Sequence, residues 1–311
     1  MFTSKKKLKN ILQDLSILKS ELKSLKEDSY SQNFLQAGIL SRLNLANTEH
    51  ILNNIQLAEF KVFSQWNDDG IIQFLVNYLD LEDKTFIEFG VQNYTESNTR
   101  FLLMNNNWTG LIMDGTESNI RDVQEQDIYW KYNLTAINAF ITRENINDLI
   151  RQNGFNGELG LLHIDIDGND YWVWKEISVI SPVIVIIEYN SVFGKDNPWT
   201  VPYQADFYRT DAHHSNLYFG SSLRSLCDLS KEKGYTFIGS NSHGNNAYFI
   251  RNDKIKALKA IGADEGYVLS QFRESRNKEG NLDFINGENR LKAISGMDVF
   301  NTQTNQIEKI A

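Results

Sequence analysis

Short apolar runs that close on an acidic residue constrain the fold of this chain more than any other feature. The run PVIVIIEYN at 182–190 is almost wholly apolar before its acid, and TFIEFG at 85–90, WTGLIMDG at 108–115 and LGLLHIDIDG at 159–168 follow the same plan. Runs of this kind are typical of strands covered on both faces, as in a parallel sheet. Helical stretches separate them, so we predict an α/β fold with a doubly wound, Rossmann-like sheet.

Other segments extend this alternation of strands and helices. IYWKYNL at 128–134 is a predicted strand, and YTFIG and AYFIR, joined through SNSHGNN, form a predicted closing antiparallel pair. Helices are predicted where apolar residues recur at helical spacing between polar ones. These helices cover 98–106, 144–154, 171–177 and 222–234.

The N-terminal segment has a different pattern. Apolar residues step alternately by three and four along one seam, which is the a/d stripe of a coiled coil; they are Leu8, Ile11, Leu15, Leu18, Leu22 and Leu25. We predict a coiled-coil helix over 1–28 that makes the protein a homo-oligomer, followed by a helical connector over 29–62. An amphipathic helix docked on its own domain is one alternative. The segment carries seven lysines against four acidic residues, so docking on a membrane surface is another.

Composition and charge exclude several classes of protein. The net charge is −9, which argues against a nucleic-acid partner because such proteins need a basic face. No apolar stretch is long enough to span a membrane, so no integral membrane contact is expected. The charged start lacks the apolar core of a secretory signal, and this predicts a cytoplasmic protein. The single cysteine, Cys227, excludes an intramolecular disulfide.

Acidic residues follow each of the four main predicted strands. Ligands of open α/β sheets bind beyond the carboxyl ends of the strands, and acids are costly to bury there unless they are paired. A shared ligand site therefore explains the set better than helix capping, which remains an alternative for any single acid. The acids are Glu88, Asp114, Asp165 with Asp167, and Glu188.

The first two strand ends have the features of a nucleoside site. Gly90 allows a ligand to approach the backbone, and Asp114 at the end of the next strand is placed to accept from both ribose hydroxyls. The loop EFGVQNYTESN lacks the G-x-G-x-x-G pattern, and the chain has no G-x-x-x-x-G-K-[ST] loop. Without a pyrophosphate cradle, NAD and ATP are disfavoured. A nucleoside without a phosphate chain fits better, and S-adenosylmethionine (SAM) is the common one.

The ordered set of motifs resembles a known family. FSQWNDDGII, FIEFG, WTGLIMDG, LLHIDIDGND and IIEYN are similar to the FkbM-like group of class I SAM-dependent methyltransferases, and the resemblance covers about residues 60–252. It implies that the loop after the first strand binds the methionine part of SAM, that the acid after the second strand binds ribose, and that the fourth strand end faces the methionine amine and the acceptor. The implied SAM-binding residues are Glu88, Gly90, Asn93, Thr95, Asn98, Asp114, Gly115 and Asp165.

The resemblance also sets the domain boundaries. Residues 63–252 are the predicted methyltransferase domain, and 253–311 are a predicted helical and then irregular extension without a functional signal.

A metal site is a further prediction at the same strand ends. Asp167, Glu188 and Asn190 offer carboxylate and amide oxygens, which suit Mg²⁺. Related sugar O-methyltransferases read D-G-x-H where this chain has Asp167 followed by Gly-Asn-Asp. The alternative is that Asp165 serves SAM while Asp167 and Asp170 shape the turn.

Histidines are the natural candidates for the base that takes the acceptor proton. His213, in a segment expected to reach over the acceptor pocket, is the first choice, and His243 is the second. Asp167 is a third candidate catalytic group. His163 lies inside a strand and is predicted to be a core residue with satisfied hydrogen bonds.

Taken together, these residues predict a SAM-dependent O-methyltransferase, with Mg²⁺ as a second cofactor. The small acceptor, by family analogy, is a sugar or a sugar-linked phosphoryl group of a surface polysaccharide pathway. The alternatives are a non-catalytic coiled-coil scaffold with a degenerate methyltransferase fold and a nucleotide-dependent sugar-modifying enzyme.

Overall fold

A computed structural model describes residues 2–311, with side chains from residue 6 onward. The first residues of the predicted coiled coil over 1–28 therefore fall partly outside the described residues. Within the described part of the chain, no helix is both long enough and apolar enough to cross a membrane.

Helices flank the sheet and also form the N-terminal extension. Three single-turn 3-10 helices cover Ile55–Ala58, Ser191–Phe193 and Asn252–Lys254. The α-helices of the described chain are α1 (Phe2–Ala46), α2 (Thr48–Ile51), α3 (Asp68–Leu79), α4 (Arg100–Asn106), α5 (Glu117–Glu125), α6 (Asp127–Lys131), α7 (Ile146–Gln152), α8 (Asp170–Glu176), α9 (Arg209–Ala212), α10 (Leu223–Glu232), α11 (Ala263–Gly266) and α12 (Glu288–Ala293).

The strands form two sheets. They are β1 (Thr85–Phe89), β2 (Thr109–Asp114), β3 (Leu134–Asn138), β4 (Gly157–Ile164), β5 (Ile180–Glu188), β6 (Trp199–Thr200), β7 (Tyr235–Ser240), β8 (Asn246–Arg251), β9 (Asp298–Asn301) and β10 (Gln306–Lys309). The main sheet has the order β3-β2-β1-β4-β5-β8-β7, and the small one has the order β10-β9-β6. In the main sheet β1 to β5 are parallel, whereas β8 runs antiparallel to both β5 and β7.

This topology confirms the predicted doubly wound α/β sheet and its closing antiparallel pair. The strand order reverses beside β1, where the chain crosses from β3 back to β4. Both faces of the sheet are covered, as the apolar runs predict. Along β5, Ile184 and Ile186 pack into one core while Val185 and Ile187 pack into the core on the other face, because successive strand side chains point in opposite directions.

One strand lies later in the chain than the sequence predicts. The segment expected as a strand over 128–134 is mostly helix α6, and β3 begins only at Leu134. The segment contains Tyr129 and Trp130, and aromatic residues favour strands. Trp130 is 73% exposed, so it does not occupy the half-buried sheet surface on which its preference for strands depends.

The N-terminal helix is continuous through the predicted connector. From Tyr30 onward α1 docks on the domain: Tyr30 and Phe34 meet the ring of Phe63, with centroids 5.4 and 5.9 Å apart, and Ala37 is buried. Residues 6–29 are almost entirely exposed, apart from an ion pair of 3.4 Å between Lys23 and Asp127. The alternative that the apolar stripe docks on its own domain is therefore wrong for the described residues.

The C-terminal segment contains more regular structure than the sequence predicts. The expected helical and irregular extension over 253–311 includes the hairpin of β9 and β10, which joins β6 through the pairing of Trp199 with Asn301. Val299 and Ile310 are buried in a small core that they share with residues from 192–219. Because each strand is only four residues long, its alternation is too brief to distinguish from loop in the sequence.

Candidate functional site

A cavity of about 1000 Å³ lies at the carboxyl edge of the parallel strands. The ends of β1, β2, β4 and β5 form its floor, and residues from two later segments, 207–219 and 270–290, complete its walls. The site is at the position where ligands of open α/β sheets bind, beyond the strand ends at the reversal of strand order.

The backbone after β1 forms one side of the cavity. Gly90 has a φ of 73°, and a Cβ built on it would come within 1.6 Å of the carbonyl oxygen of Asp165. Only glycine allows β1 and β4 to approach this closely at their ends. Gln92, with a φ of 48°, also lines the cavity.

Asp114, the last residue of β2, ties two loops of the cavity together. Its Oδ2 accepts from the backbone N–H of Gln92 at 2.8 Å, and its Oδ1 accepts from the N–H of Thr116 at 2.8 Å and from the Asn119 amide at 3.0 Å. Oδ2 therefore accepts one bond from the described protein and retains acceptor capacity. Gly115 continues the same wall.

Three carboxylates converge where β4 and β5 end. One oxygen each of Asp165, Asp167 and Glu188 lies within 4.8 Å of the other two. Burial raises the pKa of Asp165, and the charge of Asp167 raises it further. Burial and the charges of Asp165 and Asp167 raise the pKa of Glu188 well above its usual range. Oε2 of Glu188 is buried without a hydrogen-bond partner among the described residues. The acids of the cluster therefore tend to keep their protons unless a cation compensates their charge.

Arg209 is the cation closest to this cluster. It forms an ion pair with Asp167, its Nε donates to the Asn216 carbonyl at 2.9 Å, and its guanidinium lies 3.8 Å from the ring centroid of Phe219. Burial lowers the pKa of Arg209, but the charges of Asp167 and Glu188 outweigh burial and raise it.

Asn190 lines the cavity, but its polar side-chain atoms form hydrogen bonds within the protein. Its amide Nδ2 donates to the carbonyls of Leu217 and Phe219 at 2.9 and 3.0 Å, and its Oδ1 accepts from the N–H of Val192 at 3.0 Å. The side chain therefore anchors the segment 217–219 and is a weaker metal-ligand candidate than the three carboxylates.

Glu88 points away from the cavity. Its carboxylate accepts from Ser97 Oγ at 2.6 Å, from the N–H of Asn98 at 2.9 Å and from both the N–H and the hydroxyl of Thr99. His163 Nδ1 lies 3.0 Å from the same carboxylate. This acid orders the loop after β1 and does not face a ligand.

Three further residues predicted to bind SAM lie outside the cavity wall. Asn98 is buried against Nε2 of His163 at 3.1 Å, and Asn93 accepts from the N–H of Thr95 at 3.2 Å within an exposed turn. Of the predicted SAM residues, the structure brings together at the cavity Gly90, Asp114, Gly115 and Asp165.

Neither predicted base lines the cavity. His213 is half-buried, with Nδ1 2.8 Å from Ser215 Oγ, and His243 stacks on Trp66 with ring centroids 4.8 Å apart. The neighbouring His214 does line it. His163 is a buried core residue with both ring nitrogens partnered, as predicted.

Sequence reasoning missed the loop before α3. Oδ2 of Asp69 accepts from the N–H groups of Val62, Phe63 and Ser64 at 2.7–2.8 Å. The fold of this loop places Gln65 and Trp66 on the cavity. The acidic pair in WNDDG is a signal that could have indicated a capped loop, because short acids accept from nearby backbone N–H groups.

The sequence also did not predict that three cationic residues line one wall of the cavity. Arg276, Lys278 and Arg290, all in the C-terminal segment that the sequence left without a function, line the cavity. These residues lie more than 80 positions from the nearest strand-end acid, so no local spacing links them to the site.

No family model matches the chain, and no curated protein matches it. Similar solved structures include a SAM-dependent methyltransferase from Clostridium acetobutylicum, at 10% identity and a TM-score of 0.41, over 67% of this chain and 98% of that one. An O-methyltransferase from Bacillus cereus in complex with SAH matches at 12% identity and a TM-score of 0.38, over 69% and 88%. The N-terminal domain of EvdMO1, solved in the presence of SAH and D-fucose, matches at 10% and 0.38, over 67% and 94%.

The chain's own topology defines its fold class. The order β3-β2-β1-β4-β5-β8-β7, with β8 reversed, is the arrangement of the Rossmann-like methyltransferase fold. Within that fold the cavity at the strand ends is the candidate active site.

Proposed function

We propose that this protein is a SAM-dependent O-methyltransferase whose small acceptor is a sugar or a sugar-linked phosphoryl group of a surface polysaccharide pathway. One observation carries the methyltransferase part: the cavity at the strand ends places Asp114 in one wall and a cluster of under-compensated carboxylates in another. SAM, when bound, supplies a methyl group activated by a sulfonium centre.

Asp114 is the proposed ribose ligand. It stands at the end of β2, its Oδ2 retains acceptor capacity, and its bonds to Gln92 and Thr116 hold the carboxylate in one orientation. A charge-assisted hydrogen bond from a hydroxyl to a carboxylate contributes about 1.5–3 kcal/mol.

The carboxylate cluster is the proposed site for positive charge. SAM is cationic at both its sulfonium and its amine, and Asp165, Asp167 and Glu188 lack a matching cation apart from Arg209. A divalent ion such as Mg²⁺ is the second proposed occupant, held by the same three carboxylates. Binding of such an ion would require the ion pair of Arg209 with Asp167 to rearrange.

His214 is the proposed general base. It lines the cavity, whereas the ring of the adjacent His213 bonds Ser215. A positioned base that takes the proton of an acceptor hydroxyl typically contributes 10²–10⁴-fold to the rate. His213→Gln is therefore a matched control for His214→Gln, since the two substitutions are identical and one position apart.

The first test is calorimetric titration of the full chain with SAM and with its product SAH. We expect saturable binding of both at one site per chain. A scaffold with a degenerate fold would show no heat of binding, and a nucleotide-dependent enzyme would bind ATP or a nucleotide sugar instead.

The second test is release of SAH from SAM in the presence of neutral sugars and sugar phosphates. We expect turnover with a hydroxylated acceptor, with His214→Gln slower by at least a hundredfold and His213→Gln within about threefold of the unsubstituted protein. Equal loss in both variants would remove His214 as the base without affecting the assignment of SAM.

A further inference from the structure

Arg290 is a buried cation in the cavity wall without a balancing anion. It is only 7% exposed and lies on α12. Its Nη1 donates to the Phe272 carbonyl at 2.7 Å, and its Nε is buried with no hydrogen-bond partner in the described chain. None of the ion pairs among the described residues includes Arg290, so its charge meets only one neutral carbonyl.

Other positively charged side chains lie near Arg290. Burial lowers the pKa of Arg290, and the charges of Arg209 and Arg273 lower it further. Arg209 is committed to Asp167, and Arg276 is committed to Glu274 at 3.0 Å. Lys278, also on the cavity, forms no ion pair within the described residues. Of the four lysine and arginine residues on the cavity, Arg209 and Arg276 are thus paired internally, and Lys278 and Arg290 are left for a ligand.

A buried, unpaired guanidinium is unfavourable unless something else supplies the charge and the acceptors. Taking an ion out of water costs several kcal/mol in real proteins, and a close counter-ion with good geometry offsets that cost. Guanidinium presents a planar fork of N–H donors that matches a phosphate or a carboxylate in a bidentate manner. The chain as a whole has a net charge of −9. The overall composition therefore does not explain why cations line the cavity.

We propose that Arg290, assisted by Lys278, binds an anionic group of the acceptor, a phosphate or a carboxylate attached to the molecule that is methylated. The inference rests on the proposed function for the identity of the acceptor, but anion binding by Arg290 can be measured without methyl transfer. It narrows the acceptor from sugars in general to acidic ones, such as sugar phosphates or sugar acids.

The test is calorimetric titration of the full chain, saturated with SAH, with inorganic phosphate and separately with acetate at constant ionic strength. Four proteins are compared: the unsubstituted chain, Arg290→Gln, Arg290→Lys and Lys292→Gln. Lys292 is the matched control because it lies on the same helix, is 69% exposed and pairs with Glu288 at 3.6 Å, outside the cavity wall.

We expect at least one of the two anions to bind the unsubstituted chain, and the stronger of the two identifies the acidic group of the acceptor. Arg290→Gln is expected to weaken that binding tenfold or more, Arg290→Lys at least threefold because lysine lacks the fork, and Lys292→Gln by less than twofold. If Arg290→Gln does not fold, as judged by circular dichroism, Arg290→Lys against Lys292→Gln makes the same comparison.

Three results would overturn the inference. The first is that neither anion binds, and the second is equal binding by all four proteins. The third is a tenfold loss of affinity for SAH itself in Arg290→Gln, which would assign the guanidinium to the carboxylate of the SAM methionine. Normal SAH binding with no anion binding removes only this inference. If SAH does not bind, but phosphate binds the unsubstituted chain and does not bind Arg290→Gln, the proposed function is wrong and the anion site is still supported.

Discussion

Nδ1 of His163 on β4 lies 3.0 Å from Oε1 of Glu88 on β1, and both side chains are buried, with 5% and 3% of their surfaces exposed. Burial lowers the pKa of His163, but its bond to Glu88 and the charge of that acid raise the pKa above the usual value. For Glu88 burial raises the pKa, yet the bonds from His163, Ser97 and Thr99 together lower it. The pair joins two central strands and holds the loop after β1.

Stability is therefore expected to fall in alkali because His163 loses its proton. A raised histidine pKa contributes stability that is complete below the unfolded value of about 6.5 and is lost as pH rises through the folded value. The lowered pKa of Glu88 acts oppositely, with stability present above about 4.5 and lost on acidification. Urea unfolding of the unsubstituted chain between pH 6 and 9 should show a decline that His163→Gln lacks.

The same substitution should lower the free energy of unfolding at pH 6 by roughly 3–5 kcal/mol, because it removes the charged partner of the buried Glu88 carboxylate. His50→Gln, at an exposed position on α2, is the control and should change neither the stability nor its pH profile. An identical alkaline decline in His163→Gln would show that another group titrates.

Gly90→Ala should destabilise the protein strongly. The new methyl would lie 1.6 Å from the Asp165 carbonyl oxygen in addition to the strain of a φ of 73°. Gly154→Ala has the same kind of strain, with a φ of 85°, but no atom within 4 Å of the added Cβ. We expect about 1–3 kcal/mol from Gly154→Ala and a larger loss, or no folded protein, from Gly90→Ala. Equal melting temperatures would mean that β1 and β4 separate more easily than their contact indicates.

Asp114→Ala should weaken SAM binding tenfold or more while the protein remains folded. The substitution removes the proposed ribose acceptor, and a charge-assisted bond of this kind contributes about 1.5–3 kcal/mol. Because Asp114 also accepts from Gln92 and Thr116, a second variant, Asp114→Asn, keeps the side-chain shape and should lose less affinity. Calorimetry measures the SAM affinity of both variants. An unchanged affinity in Asp114→Ala would show that Asp114 does not bind the ribose.

Turnover should depend on a divalent ion bound by Asp167 and Glu188. The three converging carboxylates are the ligands that Mg²⁺ prefers. Exhaustive chelation is expected to abolish release of SAH from SAM, and Mg²⁺ should restore it. Full turnover after chelation would contradict the metal site. The acids would then be assigned to contacts with SAM, the acceptor and Arg209.

Residues 1–28 should make the protein a homo-oligomer. The six stripe residues on α1 are between 54% and 69% exposed, and self-association would remove that apolar seam from water. A chain that begins at residue 29 keeps the contact of Tyr30 with Phe63, so it should fold, bind SAM and sediment as a monomer. Light scattering on both chains decides. Equal oligomeric states would refute the coiled coil, and binding of the intact chain alone to anionic vesicles would favour the membrane-surface alternative.

Local sequence signals predicted much of the fold. The apolar runs located β1, β2, β4 and β5 within a few residues, because strands covered on both faces must be apolar throughout. The same signals failed at α6, where aromatic residues indicated a strand but Trp130 faces water. They also failed at β9 and β10, whose four residues each are too few to establish a period.

The sequence by itself determined that the strand-end acids Asp114, Asp165, Asp167 and Glu188 would lie at one edge of the sheet, since the carboxyl ends of parallel strands share one edge. Only the tertiary structure decided which strand-end acid points away from the cavity. Glu88 stands at the same edge, but its carboxylate accepts from Ser97, Asn98 and Thr99 and pairs with a histidine on the adjacent strand. The structure alone also brought Arg290 to the cavity, because contacts between residues far apart in the chain arise from packing and leave no periodic trace in the sequence.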